Sequence, residues 1–144
     1  MLELDTDGTK QAEHFINAVG EDLSGRLIPA VEVRLRGLYR LLPPDYYEAA
    51  DNLADFCGRI EKQYGVRPVI YCTERTYKNI VASDSRFNKD KIWYESLFSR
   101  PDEDMDWTFW TYTNRVKFSF YESGEYLHMT VFNGSEDDFK KLII

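Results

Sequence analysis

Cysteine and histidine are scarce in this sequence, which contains only two residues of each. Cys57 falls in a region of helical pattern and Cys72 at the end of a strand pattern, so the pair fits neither a disulfide framework nor a metal-binding spacing. We expect both to be free thiols that are buried or half-buried, because cysteine is commonly an interior residue. No group of cysteine, histidine and carboxylate residues has the spacing of metal ligands, and we predict no bound metal and no cofactor.

Long apolar runs are also absent, since no stretch approaches the roughly 20 residues that a membrane span needs. Residues 1–7 are acidic and lack the basic and apolar regions of a signal peptide. We therefore predict no membrane insertion and a cytoplasmic location by default, or an extracellular or cell-wall location if further residues precede Met1. Positive charge is in deficit, and the net charge of -7 argues against nucleic-acid binding and against general attraction to an anionic cell wall.

The composition is that of one globular domain. The chain has 144 residues, of which 43% are hydrophobic and 30% charged, and this is enough for a real core. It contains no internal repeat, low-complexity tract or linker between domains. We expect residues 1–144 to form a single domain.

Hydrophobic spacing predicts alternating helices and strands. Helices are predicted at about Thr9 to Val19, from a cap at Asp45 to Tyr64 with Gly65 closing it, around Tyr77 to Val81, and from a cap at Ser135 with Asp138 to about Leu142. Strands are predicted at Ala30 to Leu35, Val69 to Cys72, Ile92 to Glu95, Phe109 to Thr113, Lys117 to Tyr121, and Leu127 to Phe132. Loops are predicted at residues 37–44 and 101–106, and hairpin turns at Asn114-Arg115 and Ser123-Gly124.

The most informative stretch is the strand pattern within residues 27–34. Alternate side chains of a strand share a face, so Ala30, Glu32 and Arg34 project to one side and the valines between them to the other. This pattern suits a strand whose apolar side packs under helices and whose polar side lines a cleft. Because Glu32 and Arg34 are two positions apart on one face, we expect them to form an ion pair that favours the ionised form of Glu32.

Further blocks follow this strand in a fixed order, at Tyr64–Tyr71, Lys91–Tyr94, Trp107–Arg115 and Tyr126–Ser135. Together with residues 27–34 they resemble the family 25 glycoside hydrolases, the N-acetylmuramidase-type lysozymes of bacteria, fungi and phages, from about Gln11 to the C-terminus. The resemblance implies an irregular β/α barrel that cleaves the glycan of peptidoglycan between muramic acid and glucosamine units. Since such a barrel has eight strands, we expect an α/β fold that is an incomplete or rearranged barrel, lacking about three N-terminal strands.

The same resemblance implies that the catalytic positions have changed. The family strand carries an Asp and, two positions later, the Glu that acts as general acid, and Glu32 and Arg34 stand at these positions here. His128 replaces a family Asp, Thr111 replaces a family Gln, and nothing resembles the first strand with its further Asp. Glu32 is thus the one acidic position retained. An arginine stays protonated and has no acceptor, so Arg34 cannot act as the general acid.

Aromatic residues on the matching motifs are the candidates for sugar binding. In the family such positions help to line the groove, which here implies Tyr71, Trp93, Trp110 and Tyr112. The alternative is that a chain with 15% aromatic residues uses these rings to fill its core. Glu74 and Glu95 fall near the ends of predicted strands, where barrel active sites form, but we expect them to be ordinary solvated side chains.

Three functions remain open. The favoured one is a catalytically degenerate lysozyme-like domain that acts by binding or association, with the glycan of peptidoglycan as its candidate ligand. The second is an active muramidase in which Glu32, aided by His128 or Glu95, does the chemistry. The third is a regulatory or completing partner of a full-length lysozyme.

An opened barrel exposes strand edges, and something must cover them. We expect a second copy of this chain or a different partner chain to cover the edge at Ala30–Leu35, with a rearrangement of residues 1–10 and 37–44 as the alternative. Arg34, Arg36 and Arg40 lie near this edge and would guard it against aggregation or pair with an acidic partner.

Overall fold

A computed structural model describes residues 1–118 and 126–144 of the chain and shows an α/β fold. The longer helices are α1 (Gly8–Val19) and α2 (Tyr46–Tyr64), and the short ones are α3 (Glu74–Thr76) and α4 (Glu136–Lys140). The strands are β1 (Ala30–Val33), β2 (Val69–Thr73), β3 (Ile92–Glu95), β4 (Phe109–Val116) and β5 (Leu127–Phe132). Single turns of 3-10 helix lie at Gly37–Arg40 and Ser85–Phe87, and a π-helical turn lies at Tyr77–Val81.

The five strands form one sheet in the order β1-β2-β3-β4-β5. Strands β1 to β4 are parallel, and β5 runs antiparallel to β4. Helical segments connect β1 to β2 and β2 to β3, and the helices pack on one face of the sheet, where the core lies. The buried side chains on this face include Val31, Val33, Ile70, Cys72 and Ile92. The fold is therefore a partial β/α barrel wall, as the sequence predicts, with its polar face opposite the helices.

Local signals set the ends of the second helix. The side chain of Asp45 accepts a hydrogen bond from the backbone N–H of Tyr47 at 2.8 Å, which satisfies one of the free donors at the helix start. Gly65 ends the helix with φ at 73°, in the left-handed region that favours glycine. Both predicted ends are confirmed. The predicted cap at Ser135 and Asp138 is confirmed as well, although α4 ends at Lys140 rather than near Leu142.

Two predictions in the second half of the chain are wrong. Asn114 and Arg115 form no hairpin turn but lie inside β4, whose pairing with β5 has irregular register between Thr111 and Val116. Polar residues are tolerated there because such irregularities and a solvated face are common in antiparallel pairs. The predicted strand at 117–121 does not form at its first two residues. The rest of it, like the predicted turn at Ser123-Gly124, lies outside the described residues.

The region around the first strand also differs in detail from the prediction. Strand β1 ends at Val33 rather than Leu35, and the predicted loop at 37–44 contains the 3-10 turn Gly37–Arg40. The two cysteines are free and buried, as predicted. Among residues 1–118 and 126–144, no helix has the length and apolar character needed to cross a membrane.

The outer edge of β1 contacts the chain's own first residues. The N–H of Leu2 donates to the carbonyl of Glu32 at 2.9 Å, and Leu2 and Leu4 are buried against the core. A rearranged N-terminal segment is one of the alternatives that the sequence leaves open for this edge. A cavity of about 520 Å³ remains between this segment, α1 and β1. The expectation that a second copy or a partner chain covers the edge stays a prediction.

Candidate functional site

The candidate site lies on the polar face of the sheet, where strand register arranges side chains in two rows. The aromatic row crosses four neighbouring strands and begins next to Glu32 of β1; its members are Tyr71, Trp93, Phe109 and Phe132. The polar row lies two residues farther along the parallel strands, toward their carboxyl ends; its members are Thr73, Glu95, Thr111 and Thr130. In β/α barrels the carboxyl ends of the strands are where active sites form.

Arg34 lies just after β1 and joins the two rows. Its Nη2 donates to Oε2 of Glu95 at 2.6 Å and to the hydroxyl of Tyr71 at 3.0 Å, and that hydroxyl also donates to Oε2 of Glu95. The Nε of Arg34 lies 2.8 Å from Oε1 of Glu32, but the N–H is not aimed at that oxygen. The contact with Glu32 is therefore an ion pair without a hydrogen bond. One guanidinium thus lies between a carboxylate of β1 and a carboxylate of β3.

Burial and charge fix the protonation of the two donors in this network. Burial disfavours the charged form of Arg34, but the hydrogen bond and charge of Glu95 outweigh it, so the pKa of Arg34 lies above its ordinary value. Burial, with a further contribution from the hydrogen bond to Glu95, raises the pKa of Tyr71 well above its ordinary value. Neither side chain can release its proton near neutral pH. Both therefore act as fixed hydrogen-bond donors to Glu95.

Glu95 belongs to this network, which the sequence does not predict. The prediction of a solvated side chain is wrong, because Glu95 is only 10% exposed and accepts hydrogen bonds from Arg34 and Tyr71. The signal was present in the sequence, because Glu95 is two residues from Trp93 on one strand and must share its face. Glu74 behaves as expected, since its side chain is 50% exposed and pairs with Lys78 at 2.6 Å.

The aromatic row is a continuous strip of ring surface. Consecutive ring centroids are 5.1, 5.2 and 5.3 Å apart from Tyr71 to Trp93, Phe109 and Phe132, and all four side chains are half-buried. The indole N–H of Trp93 donates to Oγ1 of Thr111 at 2.9 Å, which ties the aromatic row to the polar row. Phe139 of α4 covers the far end of the strip, 5.3 Å from Phe132.

Comparisons with known proteins agree with this architecture. The family model for glycosyl hydrolases family 25 matches residues 2–119. This chain belongs to glycosyl hydrolase family 25. A comparison with curated proteins found no match to this chain.

Solved structures show the same fold. A family 25 glycosyl hydrolase from Bacillus anthracis is 28% identical to this chain and superposes with a TM-score of 0.83. The match covers 99% of this chain and 65% of that chain. The lysozyme from Streptomyces coelicolor is 23% identical, with a TM-score of 0.72 over 96% of this chain and 66% of that one. A family 25 lysozyme from Aspergillus fumigatus is 18% identical, with a TM-score of 0.73 over 96% and 67%. This family 25 chain thus spans less than two thirds of the length of the first two proteins.

The structure separates the four aromatic residues predicted to bind sugar. Tyr71 and Trp93 lie together in the aromatic row, beside Arg34. Trp110 lies on the opposite face, where it packs against the core and its indole N–H donates to the carbonyl of Ser96 at 3.0 Å. Tyr112 contacts Trp110, with 5.7 Å between ring centroids. The structure therefore does not bring Trp110 and Tyr112 into the site, and a role for them in sugar binding stays a prediction.

The three residues predicted at the catalytic positions are only partly brought together. The predicted pairing of Glu32 with Arg34 is confirmed. His128 is exposed near the start of β5, and strand alternation places it on the same face as Thr130. Within the described residues, no hydrogen bond or ion pair joins His128 to the Arg34 network. Groups of three or more residues suited to metal binding are likewise not found in residues 1–118 and 126–144.

Proposed function

We propose that this family 25 chain binds the glycan of peptidoglycan without hydrolysing it. The observation that carries the proposal is the guanidinium of Arg34, held between Glu32 and Glu95 at the position where the sequence resemblance implies the general acid. Glycoside hydrolysis needs a carboxylic acid that protonates the leaving oxygen, and a second carboxylate or a substrate group that stabilises the cation-like centre. A guanidinium can supply neither function.

Glu95 is not arranged as a substitute acid. Its Oε2 accepts hydrogen bonds from both Arg34 and Tyr71. Two donors, one of them a cation, thus converge on one oxygen of Glu95, which suits a carboxylate that accepts hydrogen bonds, whereas a general acid must itself donate a proton to the leaving oxygen. Glu32 is likewise engaged, because Oε1 lies 2.8 Å from Nε of Arg34 and 3.6 Å from Nη2 of Arg36. The network therefore favours a site that holds its charges in place over one that cycles a proton.

The aromatic row supports binding. Sugar rings present apolar C–H faces that stack on aromatic rings, and the half-buried rings of Tyr71 and Trp93 lie side by side next to Arg34. Hydroxyl and carboxylate groups of the polar row lie directly beside them and match the hydroxyls of a glycan. A strip of rings flanked by polar groups is typical of a groove that orients its ligand.

Binding and hydrolysis are separated by two assays on the purified chain. We expect the protein to sediment with insoluble peptidoglycan and to release no reducing sugars from it above the buffer level. Hydrolysis that Glu32→Gln or Glu95→Gln abolishes would overturn the non-hydrolytic part of the proposal. Failure to sediment with peptidoglycan would overturn the binding part.

The aromatic row is tested by Trp93→Leu, which keeps an apolar side chain but removes the flat ring. We expect the affinity for an N-acetylglucosamine tetramer to fall about tenfold, because one stacking contact is lost. Titration calorimetry measures the affinity, and circular dichroism checks that the variant is folded. Tyr47→Ala is the matched control, since Tyr47 is an exposed aromatic residue at the start of α2. An equal loss in both variants would count against the aromatic row as the binding surface.

A further inference from the structure

A group of arginines lies at the carboxyl end of β1, next to the network of Arg34. Arg34, Arg36 and Arg40 line a depression of about 340 Å³ together with Gly37. The backbone turns at Gly37, where φ is 54°, in the left-handed region. The 3-10 turn Gly37–Arg40 then brings Arg40 back beside the other two arginines. The depression is therefore a product of the fold and not only of a basic stretch of sequence.

Positive charge is in excess in this depression. Glu32 and Glu95 both pair with Arg34, whereas Arg36 reaches Glu32 only at 3.6 Å and its side chain is 60% exposed. In the part of the chain that the structure describes, the exposed guanidinium of Arg40 has no ion-pair partner. The chain as a whole carries a net charge of -7, so this concentration of arginine runs against its general charge. Arg36 and Arg40 are thus left to attract an anion from solution.

We propose that the depression binds a carboxylate of the peptide carried by muramic acid units, an inference that rests on the proposed function. Guanidinium groups match planar carboxylates through paired hydrogen bonds. The depression begins at Arg34, whose Nη2 lies 3.0 Å from the hydroxyl of Tyr71, so it adjoins the aromatic row. We infer that a glycan bound on that row has its peptide substituent directed toward the arginines, because Arg34 both contacts the row and lines the depression. Muramic acid units bear such peptides, with free carboxylates, and glucosamine units do not.

The test compares two ligands that differ only in the negative charge of their peptide carboxylates. One is a peptidoglycan tetrasaccharide with its stem peptides, and the other is the same molecule with the peptide carboxylates amidated. We expect the native chain to bind the carboxylate form about tenfold more tightly in low salt, as two partly exposed ion pairs would give. In Arg36→Gln/Arg40→Gln the two ligands bind equally, with the affinity for the amidated form unchanged. Calorimetry measures both affinities.

Arg26→Gln serves as the matched control, since Arg26 is an exposed arginine that precedes the opposite end of β1. We expect it to keep the full tenfold preference. Equal binding of the two ligands by the native chain, or a preference that survives in Arg36→Gln/Arg40→Gln, overturns the carboxylate site and leaves the proposed glycan binding standing. If neither ligand binds to the native chain, the proposed function fails, and this inference fails with it.

Discussion

At Arg34 a single side chain connects three strands. Its guanidinium pairs with Glu32 of β1 and Glu95 of β3, and it donates to the hydroxyl of Tyr71 on β2 between them. Glu95 is only 10% exposed and Arg34 is 23% exposed, so both charges are largely removed from water. A carboxylate in this position depends on its partner, because an unpaired charge away from water is costly. Arg34 therefore stabilises the site by linking side chains of β1, β2 and β3.

Removal of this partner is expected to be costly for stability. Arg34→Met should lower the free energy of unfolding by about 2 kcal/mol, because it leaves Glu95 without its charge partner. Urea denaturation at neutral pH measures the loss. The double variant Arg34→Met/Glu95→Gln should recover most of it, since the stranded charge is gone.

The control for this prediction is Arg36→Gln. The side chain of Arg36 is 60% exposed and lies 3.6 Å from Glu32, so its removal should change the free energy of unfolding by less than about 0.5 kcal/mol. If the single and double variants of Arg34 are equally unstable, the loss comes from packing and the charge argument is wrong.

Helices α1 and α2 pack closely at one point, and this contact positions the start of the chain. Gly8 opens α1 against the backbone of α2, where an added Cβ would fall 1.8 Å from the carbonyl oxygen of Asn52. The side-chain amide of Asn52 in turn donates to the carbonyl of Leu4 at 3.1 Å. Leu2, two residues earlier, donates to Glu32 at the edge of β1. The helix pair thus supports the segment that lies against the site strand.

Gly8→Ala should therefore destabilise the protein, by about 2 to 3 kcal/mol, because a backbone atom cannot move aside as a flexible side chain can. Thermal and urea unfolding measure the change. Gly58→Ala is the matched control, since Gly58 lies in α2 with open space around it. There the substitution should stabilise the helix by about 0.5 to 1 kcal/mol. Effects of the same sign at both positions would contradict the close approach of the helices.

At the scale of the whole molecule, both ends of the chain form backbone hydrogen bonds with β1 or with the segment before it. Leu2 donates to Glu32 at one edge, while Ile28 donates to the carbonyl of Leu142 and Ile144 to the carbonyl of Arg26. The hydrophobic core of the molecule includes Cys57 of α2. That thiol is fully buried in the folded chain, so folding disfavours its ionised form.

Stability should consequently fall at alkaline pH. Burial raises the pKa of the Cys57 thiol from 9.0 to about 12. Since the folded value lies above the unfolded one, the contribution of Cys57 is fully present below about pH 9 and is lost between about pH 9 and 12. The loss by pH 10 is about 1.4 kcal/mol for this one group.

The measurement is the free energy of unfolding in guanidinium chloride at pH 8 and pH 10. Cys57→Ala should lose less stability than the native chain over this interval, although it is less stable at both pH values. Burial also raises the pKa of Cys72, but that residue is present in both proteins, so the comparison isolates Cys57. An identical pH dependence in the two proteins would refute the assignment.

Much of the fold was predictable from short stretches of sequence. The helix ends at Asp45 and Gly65 depend on a side-chain oxygen and a left-handed backbone that act within a few residues. The shared face of Glu32 and Arg34 follows from the geometry of one strand. The resemblance to family 25 likewise rested on motifs that are each contiguous in the chain. These features are determined by the sequence because their causes are local.

Other features were decided only when the strands came together. Glu95 reaches Arg34 across a separation of 61 residues, and Asn114 continues β4 because β5 pairs with it. Trp93 and Trp110 lie on opposite faces of the sheet. Only the packing of helices on one face makes Trp110 part of the core and leaves Trp93 in the site. Strand register is set by the packing of the whole sheet. The sequence by itself therefore determined which residues share a strand face, and the tertiary structure decided which of those faces meet.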